Sequence, residues 1–209
     1  MKVIAECGVN WKNIEEAMVM ILKAEKVGCW AAKFQIFNEK VAPGLSKHLY
    51  LHREIVADLF EFGKNAGIEV FFTCMFPEAV DWCEDVGVNY YKIRYKDNEN
   101  RGLISRVLMT DKPFFISADE VLNIGIESRN MNPLFCRPIY PAHDVDYIAP
   151  FSFYEYFKGV SDHTPGTTLL KKGLEKDIKY WEKHVKLDNN CIESAWSITF
   201  EELEEVLKE

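Results

Sequence analysis

Eight short apolar segments recur along the chain of 209 residues, and a longer polar or amphipathic stretch separates each from the next. Each segment is too short for a helix and is rich in aromatic or β-branched residues, which is typical of a buried strand. The segments cover residues 3–6, 30–35, 69–75, 90–95, 113–118, 134–139, 157–161 and 180–185. Strands that are apolar along their whole length indicate a parallel sheet covered by helices.

The stretches between these segments predict the covering helices. In residues 13–27 apolar side chains recur at the three- and four-residue spacing of an amphipathic helix. Asn13 is placed to cap this helix, with Glu16 three residues later as its capping-box partner. Further helices are expected at residues 52–66, 77–85, 98–109, 167–177 and 199–208.

About eight strand–helix units without a break favour a compact (β/α)8 barrel, the TIM-barrel fold. A doubly wound sheet is the alternative, but it usually carries a Gly-x-Gly loop after its first strand. Here Cys7-Gly8-Val9-Asn10-Trp11 follows that strand. Because such barrels typically take about 250 residues, we expect trimmed helices after the fifth and sixth strands, at residues 119–132 and 141–156. The whole chain, residues 1–209, is predicted to form one domain.

Charge and composition exclude several classes of protein. A net charge of −8 is unsuited to nucleic acid, because phosphate contacts require a basic face. No apolar run reaches the roughly 18–20 residues that a membrane span needs, and the amino terminus lacks the pattern of a signal peptide. The 6 cysteines are scattered without a C-x-x-C pair, as expected of reduced thiols. We therefore expect a cytoplasmic protein without nucleic-acid or membrane partners.

Polar side chains stand at the predicted carboxyl ends of the strands, where barrels of this kind form their active sites. They comprise cations, hydroxyls, two histidines and buried carboxylates. The residues are Glu6, Lys33, Gln35, Thr73, Lys92, Arg94, Ser117, Arg137, Tyr140, Ser161, Asp162, His163, Thr164, Glu182, Lys183 and His184. This set of side chains is suited to holding a phosphate or carboxylate together with a metal ion.

Each feature also has a structural interpretation. Lys33 and Lys92 lie inside apolar strands, where an unpaired charge is costly, so they serve either an internal salt bridge or the binding of an anion. His163 and His184 stand at the mouths of neighbouring strands, where they are either metal ligands or hydrogen-bonded structural residues. The residues alone leave both alternatives open.

Short motifs follow one another in order over the whole chain. They are I-A-E-C-G-V-N at residues 4–10, K-F-Q at 33–35, F-T at 72–73, Y-K-I at 91–93, I-S at 116–117, Y-P at 140–141, S-D-H-T at 161–164 and E-K-H-V at 182–185. This ordered set resembles the catalytic barrel of the sialic acid synthases, which include N-acetylneuraminate, legionaminate and pseudaminate synthases. Each motif alone is weak, and the order of all of them carries the resemblance.

The resemblance implies a metal-dependent, aldol-type condensation of phosphoenolpyruvate with an N-acetylated amino-sugar aldehyde such as N-acetylmannosamine. The products would be a nonulosonic (sialic-type) acid and phosphate. His163 and His184 would bind a divalent metal, Mn2+ first, with Mg2+ or Co2+ as alternatives. The residues implied for phosphoenolpyruvate are Lys33, Thr73, Lys92, Ser117 and Ser161, and those for the sugar are Glu6, Gln35, Tyr140 and Glu193, with Glu6 also a candidate for proton transfer.

The chain departs from the family pattern at several of these positions. Arg94-Tyr95 replaces the Gly-Ser after Y-K-I, and Arg137-Pro138 stands where the family has an Asn in its sixth strand. We hypothesise that Arg94 and Arg137 replace the lost neutral ligands, because guanidinium groups bind phosphate through paired hydrogen bonds. Glu193 replaces an Asp.

The family's carboxyl-terminal antifreeze-like domain, which completes the sugar site across a dimer, is not expected in this chain, and a homo-oligomer is left open. Two alternative functions remain beside the synthase. One is a different phosphate-handling TIM-barrel aldolase or isomerase, and the other is a non-catalytic protein that binds a sugar or phosphosugar on the same scaffold.

Overall fold

Eight parallel strands form a closed barrel in the computed structural model, which describes residues 1–122, 128–147 and 156–208. Each strand pairs with its neighbours in the chain, and β1 closes the barrel by pairing with β8. The strands are β1 Lys2–Gly8, β2 Ala31–Ile36, β3 Glu69–Cys74, β4 Tyr91–Ile93, β5 Phe114–Ala118, β6 Met131–Cys136, β7 Gly159–Asp162 and β8 Tyr180–Lys186. The predicted (β/α)8 barrel is confirmed.

Helices follow the strands in the alternating order that the sequence predicts. The helices that lie wholly within the described residues are α1 Ile14–Lys26, α2 Arg53–Ala66, α3 Pro77–Val86, α4 Arg101–Leu108, α5 Thr168–Leu174 and α6 Phe200–Lys208. The Asn13 side chain caps α1 by accepting a 2.8 Å hydrogen bond from the backbone N–H of Glu16. No helix in the described ranges combines the length and the apolar character that a bilayer crossing requires.

The structure differs from the predicted boundaries at several elements. The helix expected at residues 98–109 begins only at Arg101, because a 3-10 turn at Tyr95–Asp97 precedes it and the Asn100 side chain caps it. A short ninth strand, β9 Ile198–Thr199, pairs with the end of β8. This strand was not predicted, since two residues are too few to give a periodic pattern.

The stretches expected to carry trimmed helices can be followed only in part. Residues 119–122 and 128–130 contain no helix, and residues 137–147 contain only the 3-10 turn Asp144–Tyr147. The remainder of that prediction falls on residues 123–127 and 148–155, outside the described residues.

An aromatic layer fills the amino-terminal half of the barrel. The rings of Phe115 and Tyr180 meet edge to face at 4.8 Å, and Phe71 lies 5.5 Å from Phe115. Trp30 and Tyr90 complete the layer, with their centroids 5.0 Å apart. These packed rings fill the amino-terminal end of the barrel interior, and a cavity opens at the carboxyl ends of the strands.

Polar side chains lie directly above this aromatic layer because of the two-residue period of a strand. Residues i and i+2 share one face of a strand, so the residue two positions after each aromatic also faces the interior. The pairs are Phe71 with Thr73, Tyr90 with Lys92, Phe115 with Ser117 and Tyr180 with Glu182. The second member of every pair lines the cavity above the aromatic layer.

We predict that Phe115→Ala lowers the free energy of unfolding by about 3–5 kcal/mol, because it removes a fully buried ring from the aromatic layer. Urea denaturation followed by circular dichroism measures the change. Met109→Ala is the control, since Met109 is 75% exposed, and it should change the stability by no more than about 0.5 kcal/mol. Equal losses in the two variants would contradict the role given to the layer.

Candidate active site

A cavity of about 760 Å³ opens at the carboxyl ends of the strands. All the residues to which the sequence assigned a binding or proton-transfer role, except Arg137, line it, namely Glu6, Lys33, Gln35, Thr73, Lys92, Arg94, Ser117, Tyr140, Ser161, His163, His184 and Glu193. Asp162, Thr164 and Lys183, which were also predicted at the strand ends, do not line it. Glu182, which was predicted at a strand end without a specific role, lines it too. Lining residues that the sequence did not single out include Tyr95, Lys96, Asn98, Glu99, Cys136 and Pro138. The fold therefore brings residues from all eight strands and their following loops to one place.

Two lysines and two carboxylates form a buried charge network at the base of this cavity. Lys33 pairs with Glu6, and its Nζ donates to Thr73 Oγ1 at 2.7 Å. Lys92 Nζ donates to Glu182 Oε1 at 2.6 Å, and Glu182 Oε2 lies 3.6 Å from Lys33 Nζ. The four charged side chains are at most 3% exposed, and their formal charges sum to zero.

Glu182 is the member of this network whose role was missed from the sequence. It accepts from Lys92 and from Ser161 Oγ, the latter at 2.8 Å, and it lies between the two lysines. Its other oxygen, Oε2, is buried without a hydrogen-bond partner in the described residues. The available signal was its position two residues before His184, which places both side chains on the same face of β8.

The network shifts the pKa values of its members. Burial lowers the pKa of Lys33 to about 7, and the neighbouring charge of Lys92 lowers it too, whereas the carboxylate of Glu182 opposes the shift. Burial alone would raise the pKa of Glu182, but the positive charges of Lys33 and Lys92 hold that pKa far below its usual range. These charges favour the ionised form of Glu182, and burial brings the titration of Lys33 towards neutral pH.

His163 and His184 face each other at the ends of β7 and β8, with ring centroids 5.3 Å apart. The Nδ1 of His163 lies 2.9 Å from the backbone oxygen of Arg137, and the Nδ1 of His184 lies 3.0 Å from Glu193 Oε2. A carbonyl and a carboxylate only accept, so each Nδ1 carries the hydrogen. Burial lowers the pKa of His163 to about 3, which keeps that ring neutral and leaves its Nε2 with a free lone pair.

The two imidazoles could each offer a nitrogen ligand to a divalent metal. Histidines that bind metals usually donate their outer N–H to a carbonyl or carboxylate, which fixes the tautomer and the orientation of the ring. Within the described ranges no group of three or more His, Cys, Asp or Glu side chains is arranged to hold a metal. The two histidines would thus supply two ligands, and water or substrate the others.

Glu193, which orients His184, is itself held by the segment that follows β1. The backbone N–H of Glu193 donates to Asn10 Oδ1 at 3.0 Å, and Asn10 Nδ2 donates to Val185 O at 2.8 Å. A Cβ on Gly8 would lie 2.4 Å from Glu193 Oε2, and Gly8 has a φ of +49°. The Gly8-Val9-Asn10 segment is thus shaped to admit and fix the Glu193 carboxylate.

Arg94 and Arg137, the two departures expected to bind phosphate, lie in different surroundings. Arg94 lines the cavity, and its Nε donates to Asp97. Arg137 extends towards Asp119, with Nη1 3.7 Å from Asp119 Oδ2, while its backbone oxygen receives His163 Nδ1–H. Tyr95 OH donates to the same Asp119 at 3.0 Å. The role of both arginines in binding phosphate stays a prediction, with Arg94 the one beside the cavity.

Aromatic rings enclose the histidine pair on the side of the cavity mouth. Tyr140 packs on His163 at 4.2 Å between ring centroids and on Trp196 at 5.4 Å, and Trp196 reaches His184 at 6.2 Å. Trp196 was not predicted, because it lies in the irregular turn Ser194–Trp196 between β8 and β9. These rings restrict the access of water to one side of both imidazoles.

We predict that the Lys33 amine titrates near pH 7 and not near 10.5. Between these pH values the unfolded chain holds a proton that the folded chain lacks, so this group makes folding more favourable as the pH rises across that window. The 13C shift of the Lys33 Cε, assigned with Lys33→Met, reports the midpoint. Glu182→Gln should lower this midpoint further, because the carboxylate of Glu182 stabilises the protonated amine and the substitution removes its charge. A midpoint at the ordinary lysine value would contradict the expected effect of burial.

Two solved structures align with this barrel over nearly its whole length. The N-acetylneuraminic acid (sialic acid) synthetase of Leptospira borgpetersenii, crystallised with citrate, aligns with a TM-score of 0.89 and 21% identity, over 99% of this chain and 81% of that one. The spore coat polysaccharide biosynthesis protein spsE of Bacillus subtilis aligns with a TM-score of 0.80 and 19% identity, over 99% of this chain and 66% of that one. At these identities the alignments show the shared fold.

Sequence comparisons identify the family. The human N-acetylneuraminate-9-phosphate synthase is 26% identical over 247 aligned positions, which cover 99% of this chain and 68% of the human protein. The family model described as the NeuB family matches residues 39–209, which include every predicted site residue except Glu6, Lys33 and Gln35. The chain belongs to the NeuB family.

Proposed function

We propose that this protein condenses phosphoenolpyruvate with an N-acetylated amino-sugar aldehyde, such as N-acetylmannosamine, to give a nonulosonic acid and phosphate. The observation that carries the proposal is that one cavity contains both the buried lysines and the pair of anchored histidines. Membership of the NeuB family and the name of the human relative support it.

The base of the cavity would receive phosphoenolpyruvate. Lys33, Lys92 and the hydroxyls of Thr73, Ser117 and Ser161 line this region, and all five side chains are buried. Glu6 and Glu182 already balance the two lysines, so a bound anion requires further positive charge. In this proposal Arg94 and the metal ion supply that charge, with the guanidinium group suited to phosphate oxygens.

The histidine pair would hold the metal, Mn2+ in the first instance, with Mg2+ or Co2+ as alternatives. A divalent metal bound there would act as a Lewis acid towards the aldehyde oxygen of the acceptor. Neutral imidazoles are required for this role, and burial keeps His163 neutral by lowering its pKa. Glu193 and the Arg137 carbonyl keep the two rings in their orientation by accepting the Nδ1 hydrogens.

The sugar would lie nearer the mouth, between Gln35, Tyr140 and Glu193, which line the cavity. Glu6 reaches the same space from β1, and its carboxylate accepts from the backbone N–H of Gly8 at 2.7 Å and from Lys33. Glu6 is also a Cα partner of both Lys33 and His184 in the barrel register. This position between the lysine network and the histidines suits a group that transfers a proton during the condensation.

The overall reaction consumes one water molecule. A C–C bond forms between the methylene carbon of phosphoenolpyruvate and the aldehyde carbon, and the enol phosphate ester is cleaved with release of inorganic phosphate. Holding both substrates in one cavity lowers the barrier by fixing their approach, which explains why cation, hydroxyl and histidine groups from different strands converge there.

We predict release of inorganic phosphate from phosphoenolpyruvate in the presence of Mn2+ and one member of a panel of N-acetylated amino-sugar aldoses, tested with and without a phosphate group. Lys92→Met should reduce the rate by at least about a hundredfold, because it removes a charge aimed at the anion. Lys64→Met, at an exposed lysine of α2, is the matched control and should retain the activity. If none of the sugars in the panel leads to release of phosphate, the proposal is wrong.

We predict one Mn2+ ion per chain in an electron paramagnetic resonance titration, and its loss in His163→Ala. His48→Ala changes an exposed histidine outside the cavity and should bind as the unaltered protein does. Equal affinity in His163→Ala and His48→Ala would rule out the histidine pair as the metal site.

A further inference from the structure

A second buried ion pair, separate from the lysine network at the base of the cavity, lies in the barrel wall behind the two histidines. Asp162 and Lys183 are Cα partners across β7 and β8, and their side chains form a 3.1 Å ion pair at 0% exposure. Neither residue lines the cavity. Each is the residue directly before one of the histidines, His163 or His184, so on its strand it faces the side opposite to the imidazole.

The hydrogen bonds of this pair converge on the turn that follows His163. Asp162 Oδ1 accepts from both the backbone N–H and the hydroxyl of Thr164, each at 2.8 Å. Asp162 Oδ2 accepts from Trp181 Nε1 at 3.2 Å, and Lys183 Nζ donates to the backbone oxygen of Thr164. These bonds join Thr164, the residue after His163, to both Asp162 and Lys183 in one rigid unit.

Stability alone is a poor explanation for such a pair. Removing two charges from water is costly, and well-packed apolar residues in place of a buried ion pair often leave a protein equally or more stable. Burial indeed lowers the pKa of Lys183, although the Asp162 carboxylate opposes that shift. What apolar side chains cannot reproduce is the set of directional bonds to Thr164.

We propose that Asp162 and Lys183 are positioning residues that set the orientation of His163 and His184 relative to each other. The inference rests on the proposed metal-binding function of the two histidines. The pair acts on backbone atoms, whereas the Arg137 carbonyl and Glu193 act on the rings. Together these contacts fix the two imidazoles from behind and from the side, in the orientation in which they would hold a metal ion.

The test is the double variant Asp162→Leu/Lys183→Met, which replaces the ion pair with apolar side chains of similar size. We expect it to fold, to unfold at a temperature close to that of the unaltered protein, and to bind Mn2+ roughly 10–100-fold more weakly, which is typical of lost outer-shell contacts. The matched control is Glu84→Leu/Lys112→Met, at a half-buried ion pair beside β4 and β5 with a 2.6 Å separation. It should bind Mn2+ normally whatever its stability.

A second readout does not depend on metal. Long-range 1H–15N spectra of the histidine rings report which nitrogen carries the hydrogen, and we expect a single Nδ1–H form for His163 in the unaltered protein. The Asp162→Leu/Lys183→Met variant should show a mixture of tautomers at His163. A purely structural role of the pair would lower the unfolding temperature and leave both the tautomer and the Mn2+ affinity of the folded protein unchanged.

The outcomes separate this inference from the function on which it rests. If the unaltered protein binds no divalent metal, the proposed metal site is wrong, and the tautomer of His163 alone decides the positioning role. A folded double variant with normal Mn2+ affinity and a single tautomer would overturn the inference. If the double variant does not fold, Thr164→Val takes its place, since this substitution removes only the hydrogen bond from the Thr164 hydroxyl to Asp162. An unchanged His163 tautomer and an unchanged Mn2+ affinity in Thr164→Val would then overturn the inference.

Discussion

The buried network of Glu6, Lys33, Lys92 and Glu182 is the interaction on which the rest of the site depends. Four charges at the centre of a barrel are tolerated only because they alternate in sign and lie within hydrogen-bonding reach of one another. Removing any one member leaves an unpaired charge in a medium of low polarity, which is strongly destabilising. The network therefore fixes the floor of the cavity, and the aromatic layer beneath it keeps water out from the other end.

The sequence predicted the barrel well because the fold depends on patterns that repeat. The apolar strands and the helices between them are set by periodicity and by caps such as Asn13, which are local properties. Errors arose where the pattern is short or where a loop overrides it. The two-residue β9 gives no period, and a 3-10 turn after β4 delays the helix expected from residue 98 to Arg101.

The sequence predicted which residues belong to the site better than it predicted the contacts between them. The rule that barrel sites form at the carboxyl ends of strands selected 16 residues, of which 12 line one cavity, whereas Arg137, Asp162, Thr164 and Lys183 do not. Glu193, which the family resemblance added, lines the cavity as well. It did not reveal that Glu182 bridges both lysines, nor that Gly8 and Asn10 hold Glu193. Those contacts join residues far apart in the chain, and their partners follow from strand register and loop shape, which composition and spacing do not specify.

The charge balance of the network constrains how the proposed reaction can proceed. Because Lys33 and Lys92 are already neutralised by Glu6 and Glu182, the base of the cavity offers hydrogen bonds to an anion but little net attraction. Phosphoenolpyruvate carries more than one negative charge, so in the proposed reaction its binding would coincide with added positive charge, from Arg94 or from a divalent metal at the histidines. Metal and anion should therefore bind more tightly together than separately.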